Sequence, residues 1–432
     1  MSSSGAVLSQ SAILRFWLPL AASWALMSAE GPVLQAAIAR LADMQTQLAA
    51  FGIVMSVEIA IESPVIMLLA TCTALSTSAR NYRTLRRFVF WMNVLVTAEA
   101  LLVAFTPLYD LIIGGWMGIP PHIAAAARPG MRIMTFWSAA IGFRRYLQGV
   151  LIRRGETRWV GYGTFARLLA SGGGGIALAI TSGLPGVWIA SIALMGGVLT
   201  EAVFVWYVGR PTVARLLAEP PKPQDEVFSL RDVARYHAPL AATSLLALMA
   251  QPMIGAGLAR MPYAEENLAA WPVVWGVLFV LRSASFALPE AVIALAGAPG
   301  ARRPVRRFCL QVGIWSSAAL ALLALTPLLP LYLRHVAGLP DRLSRLVIPS
   351  ILLSVVLPAV NSVHSWCRGL LMLARRTGVV YRGMALNLAV TAALILAGVL
   401  LKTPGAATGV VAVTAALIVE LLYLRPRAQH NG

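Results

Sequence analysis

Twelve stretches of this chain are apolar for roughly 20 residues or more, the length a helix needs to cross the hydrocarbon of a bilayer. They fall near 13–38, 48–76, 88–108, 124–151, 159–181, 186–208, 235–259, 267–296, 308–330, 344–373, 379–400 and 405–424. Composition agrees with that reading, since 59% of the residues are hydrophobic and only 12% charged. Too little polar surface remains to cover a soluble globule. The opening MSSSGAVLSQ has no charged n-region, and the apolar stretch after Arg15 is too long, and too polar at Glu30, for a signal peptide. It reads as the first of twelve spans in an all-α integral membrane protein.

The chain also repeats itself. RFWLPLAAS at 15–23 returns as RYHAPLAAT at 235–243, and the offset of 220 then holds along both halves. GPVLQAAIAR (31–40) meets QPMIGAGLAR (251–260), RTLRRF (83–88) meets RPVRRF (303–308), and TPL (106–108) meets TPL (326–328). Gly149, Thr157 and Gly163 meet Gly369, Thr377 and Gly383, and after one deletion Glu201 meets Glu420. Such a register marks an internal duplication. Each copy has six spans, an even number, so both cross in the same direction as parallel repeats about an axis along the membrane normal. The expected lobes are 1–208 and 233–432, joined by a proline-rich linker at 209–232 that contains Pro211, Pro220, Pro221 and Pro223.

Charge placement orients the chain. Of the 35 Lys and Arg, 25 lie at the termini, in the loops after even-numbered spans or at the span ends beside them, eight lie toward the opposite side, and Arg167 and Arg282 lie within spans. The positive-inside rule then puts both termini in the cytoplasm, in a plasma or bacterial inner membrane. A net charge of +18 is spent on this orientation and gives no reason to expect nucleic acid, because no basic domain stands outside the spans. Cys72, Cys309 and Cys367 are far apart and lack metal or disulfide spacing, so they read as small apolar residues.

Ionisable groups inside the spans are the sharpest functional signal, because each costs at least roughly 2.5–3.5 kcal/mol at the centre of an isolated span. Glu58 and Glu62 are four residues apart on span 2, hence on one helical face. Two carboxylates so close in low dielectric disfavour double ionisation, which suits a proton-coupled step. Glu30 precedes Gly31-Pro32 in span 1 and is placed to project into a cavity. Arg282 is the repeat mate of Glu62, setting an acid and a base at equivalent positions that are expected to face each other across the axis. Arg144 and Gln148 in span 4 pair by repeat with His364 and Arg368 in span 10, where Asn361 also lies. Facing a cleft, these would suit an anionic phosphate or carboxylate. Glu99, Glu201, Glu290 and Glu420 read as groups satisfied by neighbouring helices. The prolines at Pro19 and Pro239, and at Pro32 and Pro252, occupy matching repeat positions, so each lobe is expected to begin with a doubly interrupted, gating helix. The run SGGGG at 171–175 reads as close helix packing or local unwinding.

The sequence holds no HExxH, no GxSxG, no pair of aspartates within the spans and no Walker A motif, so neither an intramembrane enzyme nor an ATP-driven pump is expected. Twelve spans in two lobes with the RFxxPL start resemble the multidrug/oligosaccharidyl-lipid/polysaccharide (MOP) flippase superfamily, which includes the MATE exporters. RFWLPLAAS, LAAFG (48–52), the ESP of IESPVIMLLA and GLLMLARRT (369–377) look most like its progressive ankylosis (ANK) branch. The resemblance implies a V-shaped carrier working by rocker-switch alternating access, coupled to H+ or Na+ and needing no cofactor. Its expected cargo is a small charged solute, an anion or a drug-like molecule, with flipping of a lipid-linked amphiphile as the alternative. Many MATE exporters carry an aspartate in span 1; here Glu30 would have to serve.

Overall fold

The computed structural model describes residues 8–220, 226–374 and 376–429. The opening MSSSGAV, Pro221 and Pro223 of the expected linker, and Arg375 of GLLMLARRT lie outside the described residues. The described chain is helical throughout, in the order α1 (Gln10–Ile38), α2 (Met44–Ile66), α3 (Leu68–Leu75), α4 (Ala79–Phe105), α5 (Pro121–Ile133), α6 (Trp137–Arg153), α7 (Arg158–Leu168), α8 (Gly174–Thr181), α9 (Gly186–Ala218) and α10 (Leu230–Leu248). It continues with α11 (Ala250–Leu258), α12 (Ala264–Phe286), α13 (Leu288–Leu295), α14 (Arg302–Leu325), α15 (Leu328–Leu331), α16 (Asp341–Leu353), α17 (Leu357–Leu373), α18 (Thr377–Leu400) and α19 (Gly405–Gln429). Short π-helical segments occupy Asp110–Trp116, Leu169–Gly173 and Tyr332–Val336. Among the described residues ten helices are long and apolar enough to cross a membrane, and α16 with α17, bent by 46°, makes an eleventh. The expected span 4 is not among them; α5 and α6 carry Arg128, Arg132, Arg144, Arg145 and Arg153. Large apolar side chains on α4 and α14, such as Trp91, Leu95, Trp315 and Leu325, stand exposed, as a lipid-facing surface requires.

The helices pack as two compact units, one of Arg40–Ala256 and one joining residues up to Ala39 to Gly257 and beyond. These are not the halves expected from chain order. Helix α1 packs on α12, α13 and α14, while α10 packs on α2, α3 and α4. Each copy of the repeat has thus given its first helix to the unit built from the other copy.

The duplicated motif explains the exchange. In both copies the second span breaks, at Met67 after α2 and at Ala287 after α12, repeat-equivalent residues with φ/ψ of −81°/−2° and −86°/−6°. A break releases the last four carbonyls of a helix, and hydrocarbon offers them no donor. Trp17 of RFWLPLAAS donates Nε1–H to the carbonyl of Ala284 at 3.2 Å and packs edge-on to Phe308, ring centroids 5.3 Å apart. His237 of RYHAPLAAT does the same in the other unit. Its Nε2 lies 2.9 Å from the carbonyl of Pro64, and its ring lies 5.3 Å from that of Phe88. All three residues of one set match the other at the 220 offset. Because a carbonyl only accepts, Nε2 carries the proton, and the Thr71 hydroxyl 2.9 Å away donates to Nδ1. Ser244 adds a second bond, from its hydroxyl to the carbonyl of Ser63 at 2.6 Å.

The repeat extends to backbone detail. Asp43 and Tyr263, matching residues before α2 and α12, are both left-handed, with φ of 52° and 58°. Thr106 and Thr326 each turn their hydroxyl onto the carbonyl four residues back, at 2.6 Å. Gly149 on α6 and Gly369 on α17 are matched points of close approach. A Cβ on Gly149 would lie 2.7 Å from the Cβ of Cys72, and one on Gly369 would lie 2.7 Å from the Cβ of Val292.

Two expectations need correction. Pro19 and Pro32 lie inside one continuous helix, so α1 is not doubly interrupted; the second copy breaks once, at Met249, with Pro239 in α10 and Pro252 in α11. A proline removes one backbone bond, and the turns on either side of it persist. The linker is shorter than 209–232, because α9 runs through Pro211 to Ala218 and α10 starts at Leu230. Thr212 and Leu216 are buried, Thr212 donates to Glu156 at 2.8 Å, and Arg154 pairs with Glu219, so packing carries the helix past the proline. The SGGGG run forms part of the π-helical segment and the start of α8. Gly173 and Gly174 have open space where a Cβ would stand, whereas Ser171, Gly172 and Gly175 are buried, Ser171 against Gly197.

Gly149→Ala and Gly369→Ala should each lower stability by about 1–3 kcal/mol, the usual cost of overpacking. Gly196→Ala, where a Cβ meets nothing within 4 Å, should be neutral or slightly stabilising. Thermal unfolding of the purified variants in detergent checks all three.

Candidate functional site

In the unit formed by Arg40–Ala256, the acidic pair sits on α2. Glu58 is fully buried, and neither carboxylate oxygen has a hydrogen-bond partner. Glu62, one turn on, accepts a hydrogen bond from Trp137 Nε1 at 3.0 Å. The Arg167 guanidinium lies 5.5 Å from the Trp137 ring centroid, a distance at which a cation is held by the ring face.

A third carboxylate of the same unit is Glu201 on α9. Arg144 pairs with it through one oxygen, and Gln148, a turn further along α6, donates to the other at 3.0 Å. The Thr164 hydroxyl donates to that same oxygen at 3.4 Å. Glu201 is completely buried and Arg144 nearly so, so each group depends on the other for its charge balance. Gly163 on α7 permits the approach: a Cβ there would lie 3.3 Å from Glu201 Cγ.

The other unit repeats this arrangement with one change of chemistry. Glu420 on α19 takes the place of Glu201, with the Nε2 of His364 on α17 2.9 Å from its Oε1. Asn387 on α18 donates to Glu420 Oε2 at 3.0 Å. Gly383, the mate of Gly163, again stands where a Cβ would come within 3.3 Å of the glutamate Cγ. Arg368 is half-buried, within electrostatic reach of both Glu420 and Glu290. Arg282 on α12 donates to the Asn361 amide oxygen at 3.0 Å, and its guanidinium lies 5.7 Å from the ring centroid of Trp275 and 5.4 Å from that of Phe286. Its Nε has no partner. Glu30 is buried in α1.

The sequence-derived residues therefore divide. Arg144, Gln148 and His364 have their polar groups on carboxylates of their own units, so they do not form the open electropositive surface expected of them. Arg368 also has carboxylates within reach. Glu62 and Arg282 belong to different units, and each has a neutral partner of its own. Sequence reasoning assigned Glu201 and Glu420 a passive role and did not see Trp137, Thr164, Asn387 or the spacing given by Gly163 and Gly383. The usable signal was the match of Glu201 to Glu420, alongside that of Arg144 to His364.

No family model matches the sequence, and no curated protein matches it. Solved structures do. An inward-facing MATE-family multidrug resistance transporter of the MOP superfamily aligns with a TM-score of 0.67 at 14% identity, over 97% of this chain and 98% of that one. An outward-facing structure of such a transporter aligns with a TM-score of 0.65 at 14% identity, over 100% and 98%. A MOP-superfamily transporter from Pyrococcus furiosus, described as having a binding pocket of reverse polarity, gives 0.67 at 16%, over 99% of each chain. The fold is that of the MATE transporters. None of these comparisons points to the progressive ankylosis branch.

Arg144→Met alone should destabilise the protein by about 3–5 kcal/mol, because it strands a buried carboxylate. The double change Arg144→Met with Glu201→Leu should recover most of that loss. Chemical unfolding of the single and double variants measures the coupling, and strictly additive losses would show that the two residues do not act as a pair.

Proposed function

We propose that this chain is a secondary-active exporter that moves a small charged solute by alternating access. The reading is carried by two buried ionisable groups without a counter-charge: Glu58, whose oxygens have no hydrogen-bond partner, and Arg282, which has only an amide oxygen and two aromatic rings. An unpaired charge in low dielectric is expensive to keep. A carrier has a use for one, because the missing partner arrives during transport. Glu58, with Glu62 beside it, is the place for a coupling H+ or Na+. Arg282 is the place for an anionic group on the cargo. The motifs that resemble the progressive ankylosis branch favour a phosphate or carboxylate anion as that cargo, and a guanidinium is the side chain best matched to either.

The fold shared with inward- and outward-facing MATE transporters supports alternation between two open states. Arginine placement supports both termini lying in the cytoplasm, in a plasma or bacterial inner membrane.

The test is flux in proteoliposomes with a panel of phosphates, carboxylates and organic cations, with and without imposed pH and Na+ gradients. Glu58→Gln should remove the dependence on the gradient, and Arg282→Ala should slow anion flux by about tenfold or more. Gel filtration confirms that both variants fold. Full gradient-driven turnover in both would overturn the assignment, and flux of lipid-linked amphiphiles alone would point to a flippase.

A further inference from the structure

The two repeats hold the same buried carboxylate in the same way but give it different bases. Arg144 is a guanidinium, whereas its mate His364 is an imidazole, a side-chain type that can be neutral or protonated. Both members of the second pair are buried, His364 at 7% exposure and Glu420 at 3%. His364 Nε2 and Glu420 Oε1 are 2.9 Å apart but off the line of a good hydrogen bond, and neither has another partner. Two buried atoms that each present a lone pair repel at that distance, so one of them carries a proton. With that proton on Nε2, uptake of one more proton at Nδ1 turns an imidazole beside a carboxylate into an ion pair. The net charge of the pair then goes from −1 to zero, the value that Arg144–Glu201 holds permanently.

We propose that His364 and Glu420 form a proton-binding site, the titratable counterpart of the fixed Arg144–Glu201 pair, and that a coupling proton is taken up there. The inference builds on the exporter reading above and adds a second protonation locus, in the unit opposite to Glu58. Helix α17 packs on α12, α13, α14, α18 and α19. The charged groups around the pair are Arg368 on α17 itself, Glu290 on α13 facing Arg368, Arg282 on α12 held by Asn361, and Arg306 on α14 and Arg425 on α19 near Cys367. From α18 the neutral amide of Asn387 reaches Glu420, and Arg382 on the same helix is exposed. Among the described residues, the imidazole is the one ionisable side chain in contact with Glu420.

The test uses the full chain purified in detergent, with thermal unfolding followed from about pH 5.5 to about 8.5 for wild type, His364→Arg, His364→Gln and Arg144→His. An ion pair that needs a protonated histidine stabilises at low pH and is lost as pH rises through the histidine range. Wild type should therefore lose at least about 2 °C more than His364→Arg over this interval. Arg144→His should acquire a loss of the same sign that wild type lacks in that unit. Should His364→Arg fail to fold, His364→Gln serves instead and should follow a flatter course at the wild type's high-pH level. Superimposable pH courses for wild type and the folded His364 variant overturn the proposal. In proteoliposomes, His364→Arg should weaken the response of flux to a pH gradient. An unchanged response would exclude the coupling role and leave the exporter reading standing. Absence of any flux in wild type would sink the exporter reading, while the unfolding data would still decide whether the pair binds a proton.

Discussion

A helix that stops inside hydrocarbon leaves carbonyls with nowhere to turn, and much of this architecture answers that constraint. Breaks at Met67 and Ala287 open the second span of each copy. Their released carbonyls are met by ring N–H groups from His237 and Trp17, each braced against a phenylalanine. The donors come from the opposite copy's first helix, so satisfying the break also fixes which helix belongs to which unit. One local requirement thereby governs the packing of four spans.

The break itself is encoded differently in the two copies. Pro64 precedes the first break by three residues, whereas Pro289 follows the second by two, and neither has a proline as its repeat mate. Geometry has been kept while the residues that produce it have moved. For the same reason prolines alone were a poor guide to interruption: Pro19 and Pro32 leave α1 continuous, and Pro211 sits within α9.

Much of the fold could be read directly from the chain. Apolar run length gave the spans, and the constant offset gave the duplication, because both are one-dimensional properties. Assignment of α1 and α10 to the opposite units was hidden, since it depends on where a side chain such as Trp17 finds its acceptor. The candidate site was legible in composition and obscure in pairing. Glu58, Glu62, Arg144, Arg282 and His364 stood out as charges in apolar runs, yet nothing local told that Arg144 would be spent on Glu201 while Arg282 would meet only an amide and two rings. Pairing between helices 57 residues apart in sequence is set by packing, and here the packing is permitted by a glycine rather than announced by a charge.

The exchange of first helices ties the two copies together. Neither broken helix takes its ring donor from its own half of the chain: Trp17 serves the break at Ala287, and His237 the break at Met67. A change in either donor is therefore felt in the unit built from the sister sequence, while each copy is free to use its own ring, tryptophan in one and histidine in the other.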